Sequence, residues 1–524
     1  MSDKGPSKYH NLPLVLVILD GWGIAAPWGG NAISMAKTPN MDRLTRTMPY
    51  TTLQASAEAV GLPHAVMGNS EVGHLNIGAG RVVKQYLPLI NDQIKDRTFF
   101  TNPVLVSAMK RSIGGDKALH IFGIASDGGV HGHINHILAL IDMAKIMGVK
   151  KVLIHAITDG RDTEPTSALQ FIDKIESFIK KIKSPARIVD LVGRYFAMDR
   201  DTRWDRIEKA YNAYVNKKGV PFSNTKDAIL DCYNKGVYDE FFEPILIKDS
   251  TGKIEQVNDG DVLIFSNYRE DRMREIVQAM SGADCGFDRG SGAPKVAIAT
   301  FVQYQAGLPA EVAFHPEATE NSLSDCLADS GLRQFHIAET EKYAHVTYFF
   351  NGGVESPQAL ETRLLIPSPK VAKYNQEPEC SAKEITDRLV EKLHKNEFDF
   401  YVVNFANTDL VGHTGDIRAT VASVEFVDQC IGRIWKETEQ SNATLMITGD
   451  HGNAEEMISP ETGLPDTEHT KNPVPLIIYS NNVELSKIKL KKDGALGNIA
   501  PTILELVGIE KPAEMTLDSL IQKA

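Results

Sequence analysis

The sequence predicts an α/β fold, two α/β domains with mainly parallel sheets, on three observations. One is a recurring order: a short run rich in Val and Ile, a polar or glycine-rich loop, then a helical pattern. Another is length, since 524 residues exceed what a single hydrophobic core usually fills. The third is the placement of ionisable residues, with carboxylates and histidines toward the two ends of the chain and arginine-rich loops in its middle.

Taken in order, LVLVIL leads into Asp20-Gly-Trp-Gly, ALHIFGI into ASDGGVHGH, and KVLIHAI into TDGRDTEP. RIVDLVG then leads into RYFAMDRDTRW, DVLIFS into NYREDRMRE, FYVVNF into ANTDLVGHTGD, and TLMIT into GDHGNAEE. Runs this short that alternate with helices read as parallel strands covered on both faces. Among the helical patterns, INHILALIDMAKIMG ends at Gly148, a C-cap candidate. In SAKEITDRLVEKLHKNE, Ser381 and Glu384 have capping-box spacing, and Ile385, Leu389 and Leu393 recur at helical intervals. The polar loops therefore follow strands, at the sheet edge where open α/β folds bind ligands. Seven such loops are more than one site uses, and two sheets facing one another would account for them. The expected layout is a discontinuous domain over 1–84 and 317–524 with an inserted domain over 85–316, the chain crossing near 82–90 and 310–320.

A net charge of -12 argues against a general nucleic-acid or anionic-membrane binder, whose footprint is excess positive charge. The five cysteines form no C-x-x-C pair, which reads as reduced thiols in a cytoplasmic compartment. LPLVLVIL is short, interrupted by Pro13 and closed by Asp20, so a buried strand fits it better than a signal peptide. No stretch approaches the ~20 apolar residues of a membrane span.

Asp409 and His413 are four apart and share a face if that segment is helical. Asp450 and His451 adjoin at a strand end, His469 follows, and Asp20 ends another strand. Each alone is an ordinary surface pair or turn; together they suggest a divalent-metal centre. Carboxylate and imidazole without sulfur suit Mn²⁺, Zn²⁺, Co²⁺ or Fe²⁺ alike. Ser70, in AVMGNSEVGHLNIGAGR, is either part of a helix start capped by Asn69 or a nucleophile that metal coordination would activate. In the latter reading the surrounding glycines give the backbone room to approach a phosphoryl group. Arg161, Arg194, Arg200, Arg269 and Arg272 suit phosphate or carboxylate recognition, whereas Arg203 and Arg274 are expected on the surface. In HGHINH one histidine is expected to meet substrate and the others to start a helix, in preference to a separate zinc site at His131, His133 and His136. IGAGR lacks the spacing and preceding strand of a dinucleotide fingerprint.

Assembled in order, ILDGWG, TPNMDRL, MGNSEVGHLNIGAGR, SDGGVHGHINH, TDGRDT, GRYFAMDRD, EKYAHVTYFFNGG, NFANTDLVGHTGD, DHGNAE and HTKNPVP resemble, nearly end to end, the bisphosphoglycerate-independent (cofactor-independent) phosphoglycerate mutases of the alkaline phosphatase superfamily. The resemblance implies an alkaline-phosphatase-like domain split by an inserted phosphotransferase domain, with the active site in the cleft between them. It implies two divalent ions, manganese first and magnesium, cobalt or zinc as alternatives, and no bisphosphoglycerate. One ion would be held by Asp409, His413 and His469, the other by Asp20, Ser70, Asp450 and His451. Ser70 would become phosphorylated, Lys342 would offset phosphoryl charge and Asp162 would serve as general base. The implied substrate set is His131, Arg161, Asp162, Arg194, Arg200, Arg269, Arg272 and Lys342. The implied reaction interconverts 3- and 2-phosphoglycerate in glycolysis and gluconeogenesis, in a cytoplasmic monomer whose partner is that small molecule. Gly132 stands where many relatives have serine, and Gly449 where alanine is common. The rivals are a phosphatase or phosphodiesterase with the same metal set, phosphopentomutase, and a binding protein that kept the fold; a sulfatase lacks support, because no cysteine sits in C-x-P-x-R.

Overall fold

The computed structural model describes residues 11–114, 116–290, 292–316, 319–482 and 485–522. The polar stretch 1–10 and the expected boundary residue 317 lie outside them. The chain divides into two compact units, 1–85 with 317–524, and 86–316.

In the first unit the strands lie in the order Glu361–Ile366, Gln334–Glu339, Phe400–Phe405, Leu14–Leu19, Thr444–Gly449, Val474–Tyr479, Tyr50–Gln54 and Gly494–Ala495. Pairing is parallel except that Val474–Tyr479 runs antiparallel to both neighbours. Leu14–Leu19 is central and wholly buried, because both faces are covered. Leu14, Leu16 and Ile18 enter one apolar cluster and Val15, Val17 and Leu19 the other, the two-residue period of a strand. Register decides the site: Leu19 pairs with both Phe405 and Gly449, so Asp20 and Asp450 emerge side by side and the segment 406–413 emerges on the opposite flank.

The second unit repeats the plan with Glu311–Val312, Ala297–Thr300, Val262–Phe265, Leu119–Ile124, Val152–Thr158, Ala186–Gly193, Ile245–Ile247 and Val220–Phe222. Only the contact of Ala186–Gly193 with Ile245–Ile247 is antiparallel. The loops after Leu119–Ile124, Val152–Thr158, Ala186–Gly193 and Val262–Phe265 carry the histidine and arginine motifs.

Three local expectations need correction or refinement. The helix Ala382–His394 starts after Ser381, but no capping box forms. The Ser381 amide donates instead to Glu339 at 3.1 Å and its hydroxyl to Pro367 O at 2.7 Å. The chain passes from one unit to the other between Gln85 and Tyr86, inside the expected 82–90, and the helix Tyr86–Lys95 begins there at once. Helix Ile134–Ile146 ends one residue earlier than Gly148 suggests, with Gly148 in the left-handed region (φ 78°) just past the cap.

Candidate metal centre and anion site

Ser70 opens the helix Ser70–Ala79, and Asn69 caps it by accepting from Val72 N at 2.9 Å. Capping and chemistry are therefore not alternatives: the cap fixes the turn that presents the hydroxyl. The glycines do something other than loosen the backbone. At Gly73 a Cβ would lie 2.7 Å from Asp450 O, so glycine lets this helix press against the loop carrying Asp450. Gly80 adopts the left-handed cap (φ 66°) that ends it.

Asp409, His413 and His469 converge. Asp409 Oδ1 lies 3.2 Å from His413 Nε2 and 3.1 Å from His469 Nε2, and the two nitrogens are 3.0 Å apart. Both Nδ1 atoms face backbone carbonyls, Thr467 O at 2.7 Å and Gly68 O at 2.8 Å. Carbonyls only accept, so each Nδ1 carries a hydrogen and each ring turns its Nε2 inward. Asp409 Oδ1 has no hydrogen-bond donor. Three potential ligand atoms at this spacing suit a cation, and the spacing is near the ~3.4 Å ligand–ligand edge of a tetrahedral site with bonds of about 2.1 Å.

A second group, Asp20, Asp450 and His451, is fully buried. His451 Nε2 lies 3.3 Å from Asp20 Oδ1 and 3.6 Å from Asp450 Oδ2, while its Nδ1 faces Gly452 O at 3.2 Å. Asp450 Oδ1 is held by the amides of Gly21 and His451, leaving buried Oδ2 without a hydrogen-bond donor. Ser70 Oγ donates to Asp20 Oδ1 at 3.0 Å and lies 3.0 Å from His451 Nε2.

Lys342 Nζ joins the groups, 2.8 Å from Asp20 Oδ1, 2.7 Å from Ser70 Oγ and 2.6 Å from Asp409 Oδ2. Burial disfavours its charge, but Asp20, Asp409 and Asp450 outweigh that and hold the ammonium above its ordinary pKa. Burial likewise opposes the charges of Asp20 and Asp409, and Lys342 above all returns both well below the carboxylate range. The three buried carboxylates outnumber the cations among them, Lys342 and a protonated His451, which leaves net negative charge and a standing demand for further cation. These residues fit divalent metal.

In the second unit, Arg194 is buried and donates to Asp159 at 2.7 Å and to Asp162 at 2.5 Å. Asp271 gathers Arg200 at 3.1 Å, Arg269 at 3.2 Å and His131 at 3.7 Å. Arg161 is half exposed, 3.5 Å from Glu240. Arg272 donates to Met198 O at 3.0 Å, and its buried Nε has no partner. Burial first, then repulsion from Arg194, Arg200 and Arg161, depresses its pKa, the mark of positive charge in excess. Burial, reinforced by Arg194, lowers His131 to about 4 and keeps it neutral. The structure thus brings His131, Arg161, Asp162, Arg194, Arg200, Arg269 and Arg272 into one loop cluster, and puts Lys342 with the carboxylates of the other unit. Arg203 and Arg274 are exposed. His133 caps the helix that follows by accepting from Asn135 N, and His136 is buried against Asn91.

Sequence reasoning passed over Asp159, which accepts from Ser126 Oγ, from the Arg161 and Asp162 amides and from Arg194. It also passed over Asn404, which donates to Asp20 Oδ2 at 2.7 Å and packs against His74, itself bonded to Ser70 O at 2.8 Å. The available signal was a polar residue inside an apolar strand, as in FYVVNF.

Residues 12–511 match the family model described as the metalloenzyme superfamily. The 2,3-bisphosphoglycerate-independent phosphoglycerate mutase of Moorella thermoacetica is 48% identical over 514 residues, covering 98% of this chain and 99% of that protein. The protein of the same name from Clostridium perfringens is 47% identical, again over 98% and 99%. A crystal structure of Leishmania mexicana phosphoglycerate mutase at low cobalt concentration is similar with a TM-score of 0.64 and 32% identity, covering 99% of both chains.

Proposed function

The chain belongs to the 2,3-bisphosphoglycerate-independent phosphoglycerate mutase family, within the metalloenzyme superfamily, and from that premise we propose that it interconverts 3- and 2-phosphoglycerate through a phosphoserine at Ser70. The observation that supports this most is Ser70 Oγ within hydrogen-bond reach of Asp20, His451 and Lys342, inside a centre whose buried carboxylates outnumber its cations.

Divalent ions on Asp409, His413 and His469, and on Asp20, Ser70, Asp450 and His451, would supply the charge that makes the serine nucleophilic and relieves the phosphoryl oxygens. Ser70 Oγ bonds to phosphorus as the substrate's P–O bond breaks, the serine proton ends on the glycerate oxygen that departs, and Lys342 offsets charge on the equatorial oxygens. Glycerate remains bound, its carboxylate clamped by Arg194 and Arg200, with His131, Arg161, Arg269 and Arg272 completing the anion site. The glycerate then turns; Asp162 takes the proton of its other hydroxyl, and that oxygen receives the phosphoryl group from Ser70. Water must be kept from the phosphoserine, or it would be hydrolysed. Manganese, a cytoplasmic location, action as a monomer and a place in glycolysis and gluconeogenesis complete the reading. Among the described residues no helix is long and apolar enough to cross a membrane.

The test is conversion of 3-phosphoglycerate in Mn²⁺ without bisphosphoglycerate, beside Ser70→Ala and an EDTA-treated sample. Product that disappears in both controls supports the transfer. Free phosphate in place of 2-phosphoglycerate would make the protein a phosphatase, and no reaction with any divalent metal would leave a binding protein.

A further inference from the structure

Two connections carry ligand candidates from both groups: the one after Leu14–Leu19 bears Asp20, and the one joining Thr444–Gly449 to Val474–Tyr479 bears Asp450 and His451 at its start and His469 near its end. Both meet on Glu455, a fully buried glutamate within the second of them. Its Oε2 accepts from Gly23 N at 3.0 Å and Asn453 N at 2.9 Å. Its Oε1 accepts from Asn472 Nδ2 at 3.1 Å and, in a short bond, from Thr470 Oγ1. Thr470 Oγ1 itself accepts from Asn472 N, so its hydrogen is directed to the carboxylate. A Cβ on Gly23 or Gly452 would run into this carboxylate, so both loops close down on it.

The knot reaches both groups of ligands. Gly452 and Thr470 form an antiparallel bridge, with Thr470 N donating to Gly452 O at 2.9 Å. Their neighbours His451 and His469 stack with ring centroids 3.9 Å apart. Ala454 N donates to Gly21 O at 3.1 Å, tying in the loop of Asp20. Four hydrogens converge on one buried carboxylate, and an amide in its place would set at least one donor against another.

Resting on the metal reading above, we infer that Glu455 is the positioning residue that holds the loops of both metal groups in binding-competent register. Its removal lowers metal affinity at both sites together. Partners of this kind, one step beyond the ligands, typically change metal affinity by about 10–100-fold.

The test titrates metal-free wild type, Glu455→Gln and Asn472→Ala with Mn²⁺ by calorimetry, and records the visible spectrum of each protein loaded with Co²⁺. Asp239→Asn serves as control, because Asp239 is an equally buried carboxylate that accepts from Ser167 N, Ser167 Oγ, Ala168 N and Tyr233 Oη in the other unit. The expected result is a loss of about 10–100-fold at both sites in E455Q with an altered Co²⁺ spectrum, a smaller loss in N472A, and unchanged affinity in D239N even where its thermal midpoint falls. Excess Mn²⁺ should restore kcat in E455Q without a change in KM for 3-phosphoglycerate. Wild-type affinity and spectrum in both E455Q and N472A, or an equal loss in D239N, would overturn the assignment. A wild type that binds two ions yet makes no product defeats the mutase reading alone; one that binds no Mn²⁺ defeats both.

Discussion

Lys342 donates to Ser70 Oγ at 2.7 Å and to Asp409 Oδ2 at 2.6 Å, so one ammonium spans the candidate nucleophile and the carboxylate of the other ligand group. The contact gives the lysine two separable roles, neutralising buried carboxylates and stabilising charge on the transferring group.

Lys342→Met separates them. In EDTA it takes from Asp20 and Asp409 the ammonium they share, and the expected loss of stability is about 3–5 kcal/mol. Saturating Mn²⁺ should recover most of the thermal midpoint, while kcat stays down by about 10²–10³-fold. Equal destabilisation with and without metal would show that Lys342 is only packing.

Ser70→Ala should bind Mn²⁺ and unfold near the wild-type temperature yet incorporate no phosphate from labelled 3-phosphoglycerate. Residual turnover above about 10⁻³ of wild type would assign the nucleophile elsewhere.

Metal uptake should release protons. Burial works against charge on His451, but Asp450 and the bond to Asp20 prevail and push it up to about 10. A pKa raised above the ordinary 6.5 adds stability to the metal-free protein that is complete below that pH and fades as pH climbs toward 10. The ion must displace that proton, so affinity should rise by about tenfold per unit over roughly pH 7 to 9. Calorimetry in buffers of different ionisation enthalpy reads the proton directly, and none released would refute the exchange.

Arg194→Ala should lower kcat/KM by about 10–10²-fold with Mn²⁺ affinity untouched, since two charge-assisted bonds to Asp159 and Asp162 vanish in the unit remote in sequence from the metal ligands. Weakened Mn²⁺ binding would contradict that separation.

Gly73→Ala forces a methyl to within 2.7 Å of Asp450 O and must displace either the Ser70 helix or the Asp450 loop. A loss of about 1–3 kcal/mol is expected, together with weaker binding of Mn²⁺. Unchanged melting and affinity would mean that the two segments part without cost.

The sequence alone determined what depends on near neighbours. Seven strand–loop transitions were legible because a buried parallel strand must be apolar throughout and its loop polar. Asp450 with His451, and Asp409 with His413, were legible because one turn or one helical interval holds each pair. Tertiary structure decided what depends on strand order. Asp20 meets Asp450 because Leu14–Leu19 pairs with Thr444–Gly449, and the Gly21 amide then bonds Asp450, 429 residues away. The same reach defeated the capping box at Ser381, whose amide went to Glu339 once the sheet brought that carboxylate near. It also hid Glu455, whose Gly23 partner lies 432 residues away. Backbone geometry and side-chain period act over a few residues and leave their mark in the local pattern. Pairing register acts between distant segments, and its mark exists only once the sheet has formed.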